Sequence, residues 1–334
     1  MPERAQTDQH HHQLRESAPS FGVLDHPLVQ RAYSEYSQLV QDFPSLYTPS
    51  GVRTVQRPLP LRATACLPVV LAEVFGMQDQ TVIENTCLAQ LFMNHYAHLV
   101  DFATDEAFAG SPLIFHVSSL VLAKAIVIYG GLAHAGGRFW QHWERYGIEA
   151  STSERFLWCH RHSMLPYGNT DLSHMSGKSA LLKSTAALYA SVLDDWAPLE
   201  AVETGLQCTF LAVQLVDDLM DWESDLTAGI YTYPLWLAYS QANTLDPVSL
   251  ATTFLRNNIA EHVIRRASTA LTDALDQFRF LHGTALVGLI DSLQLSLTQV
   301  LEELHDRSRT ALELPGEYDI RKYIRTIIDP RLAH

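Results

Sequence analysis

The chain has 334 residues, of which 47% are hydrophobic, and carries a formal net charge of −14. That acidic excess repels nucleic-acid phosphates and an anionic membrane surface, and so argues against both as partners. Length and apolar content fit one large helical domain, with no composition break between residues 60 and 310. The cysteines Cys66, Cys87, Cys159 and Cys208 show no CxxC pairing and follow no secretory leader. Reduced, buried thiols in a cytoplasmic protein are the expectation.

Residues 1–25 are polar, include His10, His11 and His12, and predict a disordered tail ahead of an all-helical domain over 26–334. From Pro27, the stripe Leu28, Ala32, Tyr33, Tyr36, Leu39 and Val40 predicts a helix that ends before Pro44. A loop rich in Pro, Ser and Gly follows, and then a helix over 61–75. The next helix, about 81–106, ends in an acidic cluster in which Asp101 and Asp105 lie one turn apart on one face. The apolar run 112–135 contains His116 and Lys124, and reads as a buried core helix rather than a membrane span. Gly136 and Gly137 mark a break. Ser151 and Glu154 read as a capping box that opens a helix through Trp158 and His162. Cys159, His160 and His162 do not share a helix face, which argues against zinc. A loop over 165–171 leads into a helix with Lys178 and Lys183, and Asp194 and Asp195 read as a solvated turn.

The richest stretch runs from Gln214 to Asp225, where an apolar run ends in Asp217, Asp218, Asp221 and Asp225. Residues four apart drift about 80° over two turns, so Asp217, Asp221 and Asp225 share a face. Stacked like charges weaken a helix, and a hard divalent cation such as Mg2+ relieves them with oxygen ligation. Two acidic helix faces closing across a bundle would hold several Mg2+ ions, and the natural ligand of such a site is a diphosphate. Further amphipathic helices are expected at about 234–242, 247–258, 259–281, 284–308 and 317–328, with no strand-period segment of useful length.

These motifs resemble the trans-isoprenyl diphosphate synthase and class I terpene synthase superfamily, over roughly residues 50–330. The likeness is strongest at Gln214, the acidic stretch, and Gly229 followed by Thr232-Tyr233-Pro234-Leu235. It implies a single antiparallel helical bundle with a central cavity. It also implies about three Mg2+ ions held by Asp101, Asp105, Asp217, Asp221 and Asp225, with Asp218 catalytic beside them. Lys178, with Lys183 as fallback, and Arg53, Gln214 and Arg321 would contact the diphosphate. Tyr96, five residues before Asp101, would limit chain length and favour a C15 or C20 substrate. Phe92 and Tyr233, with Phe115, Trp158 and Phe210, are aromatic candidates to line the pocket.

The chain departs from elongating members in three places. Val52 stands where they carry a lysine, Phe102 occupies the second position of the first acidic motif, and residues 107–112 contain no arginine. A second diphosphate would then be left with unpaired charge. The expectation is therefore a terpene synthase that ionises one prenyl diphosphate, farnesyl or geranylgeranyl. The alternatives are a prenyltransferase that condenses an allylic diphosphate with isopentenyl diphosphate, and an inactive partner subunit. The resemblance leaves room for a homodimer.

Overall fold

The computed structural model describes residues 25–43, 46–48, 51–53, 63–105, 113–168, 171–279, 281 and 284–311. The predicted tail, Arg321 and the predicted helix at 317–328 lie outside them, and of Arg53, Asp101 and Asp105 only the backbone is described.

Helix α1 spans Pro27–Val40; His26 Nδ1 accepts from the Leu28 N–H at 3.3 Å, and Pro27 sits where its missing donor costs nothing. A hairpin pairs β1 (Leu46–Thr48) with β2 (Gly51–Arg53) where an irregular loop was expected. Strands of three residues are too short to produce a readable alternation. A 3-10 turn, Ala63–Cys66, enters α2 (Leu67–Phe75), which ends on Gly76 at φ 68°, a left-handed position glycine adopts without strain. Asp79 Oδ1 accepts from the N–H groups of Thr81 and Val82, opening α3 (Gln80–Asp105). Helix α4 spans Leu113–Leu132 and α5 spans Arg138–Ser163.

Helix α5 is continuous through the predicted capping box, which is a correction. Ser151 Oγ donates to the Gly147 carbonyl four residues back at 2.8 Å, a bond an interior serine makes without opening a helix. The chain continues through α6 (Leu172–Gly177), a 3-10 turn (Ala180–Lys183), α7 (Ser184–Leu193), α8 (Leu199–Met220) and α9 (Trp222–Ala228). It ends in α10 (Tyr233–Ala242), α11 (Pro247–Arg256), α12 (Ile259–Phe278) and α13 (Thr284–Ala311).

Helix α7 is the centre of the bundle: every residue from Ser184 to Ala190 is buried, against neighbours that include α2, α3, α5 and α8. The most extensive helix pair is α8 with α12. Their approach depends on Gly205, where a Cβ would run into the Phe278 ring. Helix α4 departs from the expected core helix. It is long and apolar enough to cross a membrane, with mean hydropathy 1.9, but only 33% of that window is buried. Phe115 (69% exposed), Leu120 and Val127 (72%) face outward. Cys159 is exposed, contrary to the buried-thiol expectation, whereas Cys66 and Cys87 are buried, and burial pushes the Cys66 thiol up to about 12.

One buried contact sets a pH limit on the fold. His95 is 2% exposed, its Nδ1 lies 3.0 Å from the Tyr36 hydroxyl, and burial lowers its pKa from 6.5 to about 4. The unfolded chain therefore binds more protons than the folded one between about pH 6.5 and 4, so stability is full above that window and falls with pH inside it. Urea unfolding should show a loss of about 2 kcal/mol from this group between pH 7 and pH 5. The His95→Gln protein should lack that part of the slope.

Candidate functional site

Side-chain contacts set the direction of the helices around the predicted acidic motifs. The Thr86 hydroxyl lies against Tyr189, and Thr185 Oγ1 donates to Gln90 Oε1 at 3.0 Å. Helix α3 thus ascends as α7 descends, and its last turns, with Asp101 and Asp105, continue past the level of Ser184 toward Lys178. Helix α8, joined to α7 by a five-residue turn over 194–198, climbs back alongside it. Both acidic helix ends therefore emerge at the Lys178 end of α7.

Along α8 the acids divide by burial. Asp217, Asp221 and Asp225 are partly exposed, whereas Asp218 is 6% exposed and accepts from Gln214 Nε2 at 2.5 Å. Asp221 caps the junction of α8 and α9. The N–H of Asp221 still donates to the Asp217 carbonyl at 3.0 Å, and the N–H of Asp225 to Asp221 at 2.9 Å. The four-residue stacking thus survives a nominal break at Asp221. Trp222 anchors that junction by packing on Phe254, with centroids 4.9 Å apart.

Beneath the acids, Tyr231 N–H donates to the Arg161 carbonyl at 2.8 Å and Tyr167 Oη donates to the Tyr231 carbonyl at 3.3 Å. Burial pushes the Tyr167 phenol well up, Asp218 adds to that, and Arg161 opposes it. Arg161, only 7% exposed, is a residue sequence reasoning missed. The available signal was its place four residues after Leu157 on the buried stripe of α5.

The remaining candidates scatter. Tyr96 is half-buried on α3, and Glu154 of α5 is near enough to raise its phenol pKa, after burial. Phe92 is fully enclosed between Tyr36 and Phe43, as core rather than pocket wall. Phe115 and Trp158 are exposed and cannot line a dry interior, which corrects that expectation. Phe210 and Tyr233 are buried, and Tyr233 Oη lies 3.2 Å from His262 Nε2. Lys183 Nζ donates to both carboxylate oxygens of Glu149 at 2.8 Å, and Lys178 caps the C-terminus of α6. A cleft of about 420 Å³ lined by Arg145, Glu149, Lys183 and Glu203 lies toward the far end of α8, away from the acids.

Among the described residues, no group of three or more His, Cys, Asp or Glu converges as a ready-made metal cage. The donor set nevertheless fits Mg2+. This ion takes one or two protein carboxylates and completes its shell with water and phosphate oxygens. Part-exposed aspartates spaced along a helix end supply such donors.

No family model matches the chain, and no curated protein matches its sequence. Solved structures do match. A geranylgeranyl pyrophosphate synthetase from the archaeon Geoglobus acetivorans aligns with TM-score 0.61 and 16% identity, covering 80% of this chain and 92% of its own. An octaprenyl pyrophosphate synthase from Helicobacter pylori aligns with TM-score 0.57 and 14% identity, covering 88% and 100%. With its acid-bearing helix ends brought to one end of a helical bundle, the chain has the fold of the trans-isoprenyl diphosphate synthases.

Proposed function

We propose that this protein is a Mg2+-dependent enzyme that ionises an allylic prenyl diphosphate. What supports the reading is that both acidic helix ends run toward the Lys178 end of α7, in a fold shared with prenyl pyrophosphate synthases. Asp101, Asp105, Asp217, Asp221 and Asp225 would hold the metal, which when bound neutralises the charge that builds on the diphosphate as it leaves. Lys178 is the lysine assigned to the diphosphate, by its spacing to the second acidic motif in the resembled family; Lys183, the fallback, grips Glu149. Asp218, held by Gln214, sets the end of α8 rather than touching the leaving group.

The two neighbours described above are named as prenyl pyrophosphate synthases, which supports condensation of the allylic cation with isopentenyl diphosphate. A second reading, conversion of a single C15 or C20 diphosphate to a terpene, is favoured by Val52, Phe102 and the absence of arginine from residues 107–112. Incubation with Mg2+ and farnesyl or geranylgeranyl diphosphate separates them. Longer diphosphates formed only with isopentenyl diphosphate support elongation, and a hydrocarbon or alcohol from the single substrate supports the second reading. Absence of any product and of released pyrophosphate would reject both.

A second copy of the chain is the proposed cover for the outward face of α4. Lys124 is the only Lys, Arg, Asp or Glu in the helix, and exposed Gly130 and Gly131 permit close helix approach. Light scattering should give a dimer for the native chain and a monomer for Val127→Glu, since an unpaired charge at an interface costs several kcal/mol. A native monomer would rule this assembly out.

A further inference from the structure

The bend between α6 and α7 is tied to α5 at two points one helical turn apart. At the first, Gly177 lies so close to Ser153 that a Cβ would overlap the serine Oγ and stand 3.1 Å from its Cβ. Turning the hydroxyl relieves the first contact but not the second. At the second point, Lys183 grips Glu149 through two hydrogen bonds, with its side chain 5% exposed and that of Glu149 29% exposed. Its Nζ also stands 5.4 Å from the centre of the Tyr146 ring. Between the anchors the backbone tightens to 3-10 geometry, with Ser179 N–H donating to Ser176 and Leu182 N–H to Ser179. Lys178 follows directly on the first anchor.

A buried ion pair is an inefficient source of stability, because desolvating both charges offsets most of their attraction. What it provides is direction. Two hydrogen bonds to one carboxylate fix the ammonium in place, where an apolar side chain would slide.

We infer that Lys183 and Gly177 are positioning residues, which hold the bend that presents Lys178 to the diphosphate. The inference rests on the reading that Lys178 contacts the diphosphate, and both are tested together. The probe is inorganic pyrophosphate with Mg2+, titrated calorimetrically, alongside turnover and thermal midpoint. Lys183→Met alone strands Glu149 and risks unfolding, so it is paired with Glu149→Leu, which removes both charges. That double variant and Gly177→Ala should stay folded and bind pyrophosphate about tenfold to a hundredfold more weakly, the cost of a misplaced contact group. Adding Ser153→Gly to Gly177→Ala makes room for the new methyl and should restore binding.

In a Lys178→Ala background, neither clamp variant should weaken binding further. A merely structural role would lower the midpoint but leave Kd unmoved. Clamp variants that keep native Kd while Lys178→Ala loses it would overturn the inference and leave the proposed function standing. Unchanged Kd in Lys178→Ala itself would overturn both the role of Lys178 and the clamp.

Discussion

Asp221→Ala is expected to cut Mg2+-dependent pyrophosphate release about 10²- to 10³-fold, the usual cost of removing one group that stabilises developing charge. The fold should survive the change. Asp221 is partly exposed, and its backbone N–H and carbonyl carry the chain from α8 into α9 whatever the side chain. Removing one of three stacked like charges should leave the thermal midpoint level or slightly raised. Asp218→Ala should behave differently: its carboxylate is buried on Gln214, and truncation strands that amide, costing about 1–3 kcal/mol of stability. Thermal midpoints and pyrophosphate release, measured on both variants, separate a metal-holding aspartate from a structural one. Equal losses of activity and stability in the two would contradict the division of roles.

Phe278→Ala should destabilise the protein by about 3–5 kcal/mol, the range for emptying a buried aromatic site. Phe278 is fully buried on α12 against Gly205 of α8, at the most extensive helix contact in the bundle. For a domain of this size the loss corresponds to a midpoint about 10 °C lower. Gly205→Ala attacks the same contact from the other side by overpacking, at about 1–3 kcal/mol. Combining Gly205→Ala with Phe278→Leu should cost less than the sum of the two, because the smaller ring-side residue makes room for the methyl. Additive losses would show that the two residues do not share one contact. Since α8 also carries Asp217 and ends on Asp221, activity should fall in step with the contact.

Elements with strong 3.6-residue periodicity were readable before any coordinates. The stripe of α1 and the alternation of α12 gave their helices to within a few residues, and the four-residue spacing of Asp217, Asp221 and Asp225 gave their shared, part-exposed face. Local signals misled where a tertiary contact outweighed them. Ser151 and Glu154 spell a helix start, yet α5 runs through them because Phe139, Tyr146 and Leu157 keep one face buried throughout. Composition showed that α4 is apolar but not what covers it. Lys183, the fallback to Lys178 in the sequence, is held by Glu149, 34 residues upstream, a contact that no local pattern announces. Arg161 was hidden for the same reason, since its carbonyl accepts from the N–H of Tyr231, 70 residues downstream.

The central claim, that the two acidic helix ends serve one departing diphosphate, is tested most directly by colorimetric pyrophosphate release. The assay would contain Mg2+, geranylgeranyl diphosphate and isopentenyl diphosphate, using native protein, Asp101→Ala and Asp217→Ala. The account predicts release by the native protein that stops with a chelator and collapses in both variants. Release that persists in either variant, or that ignores removal of the metal, would contradict it.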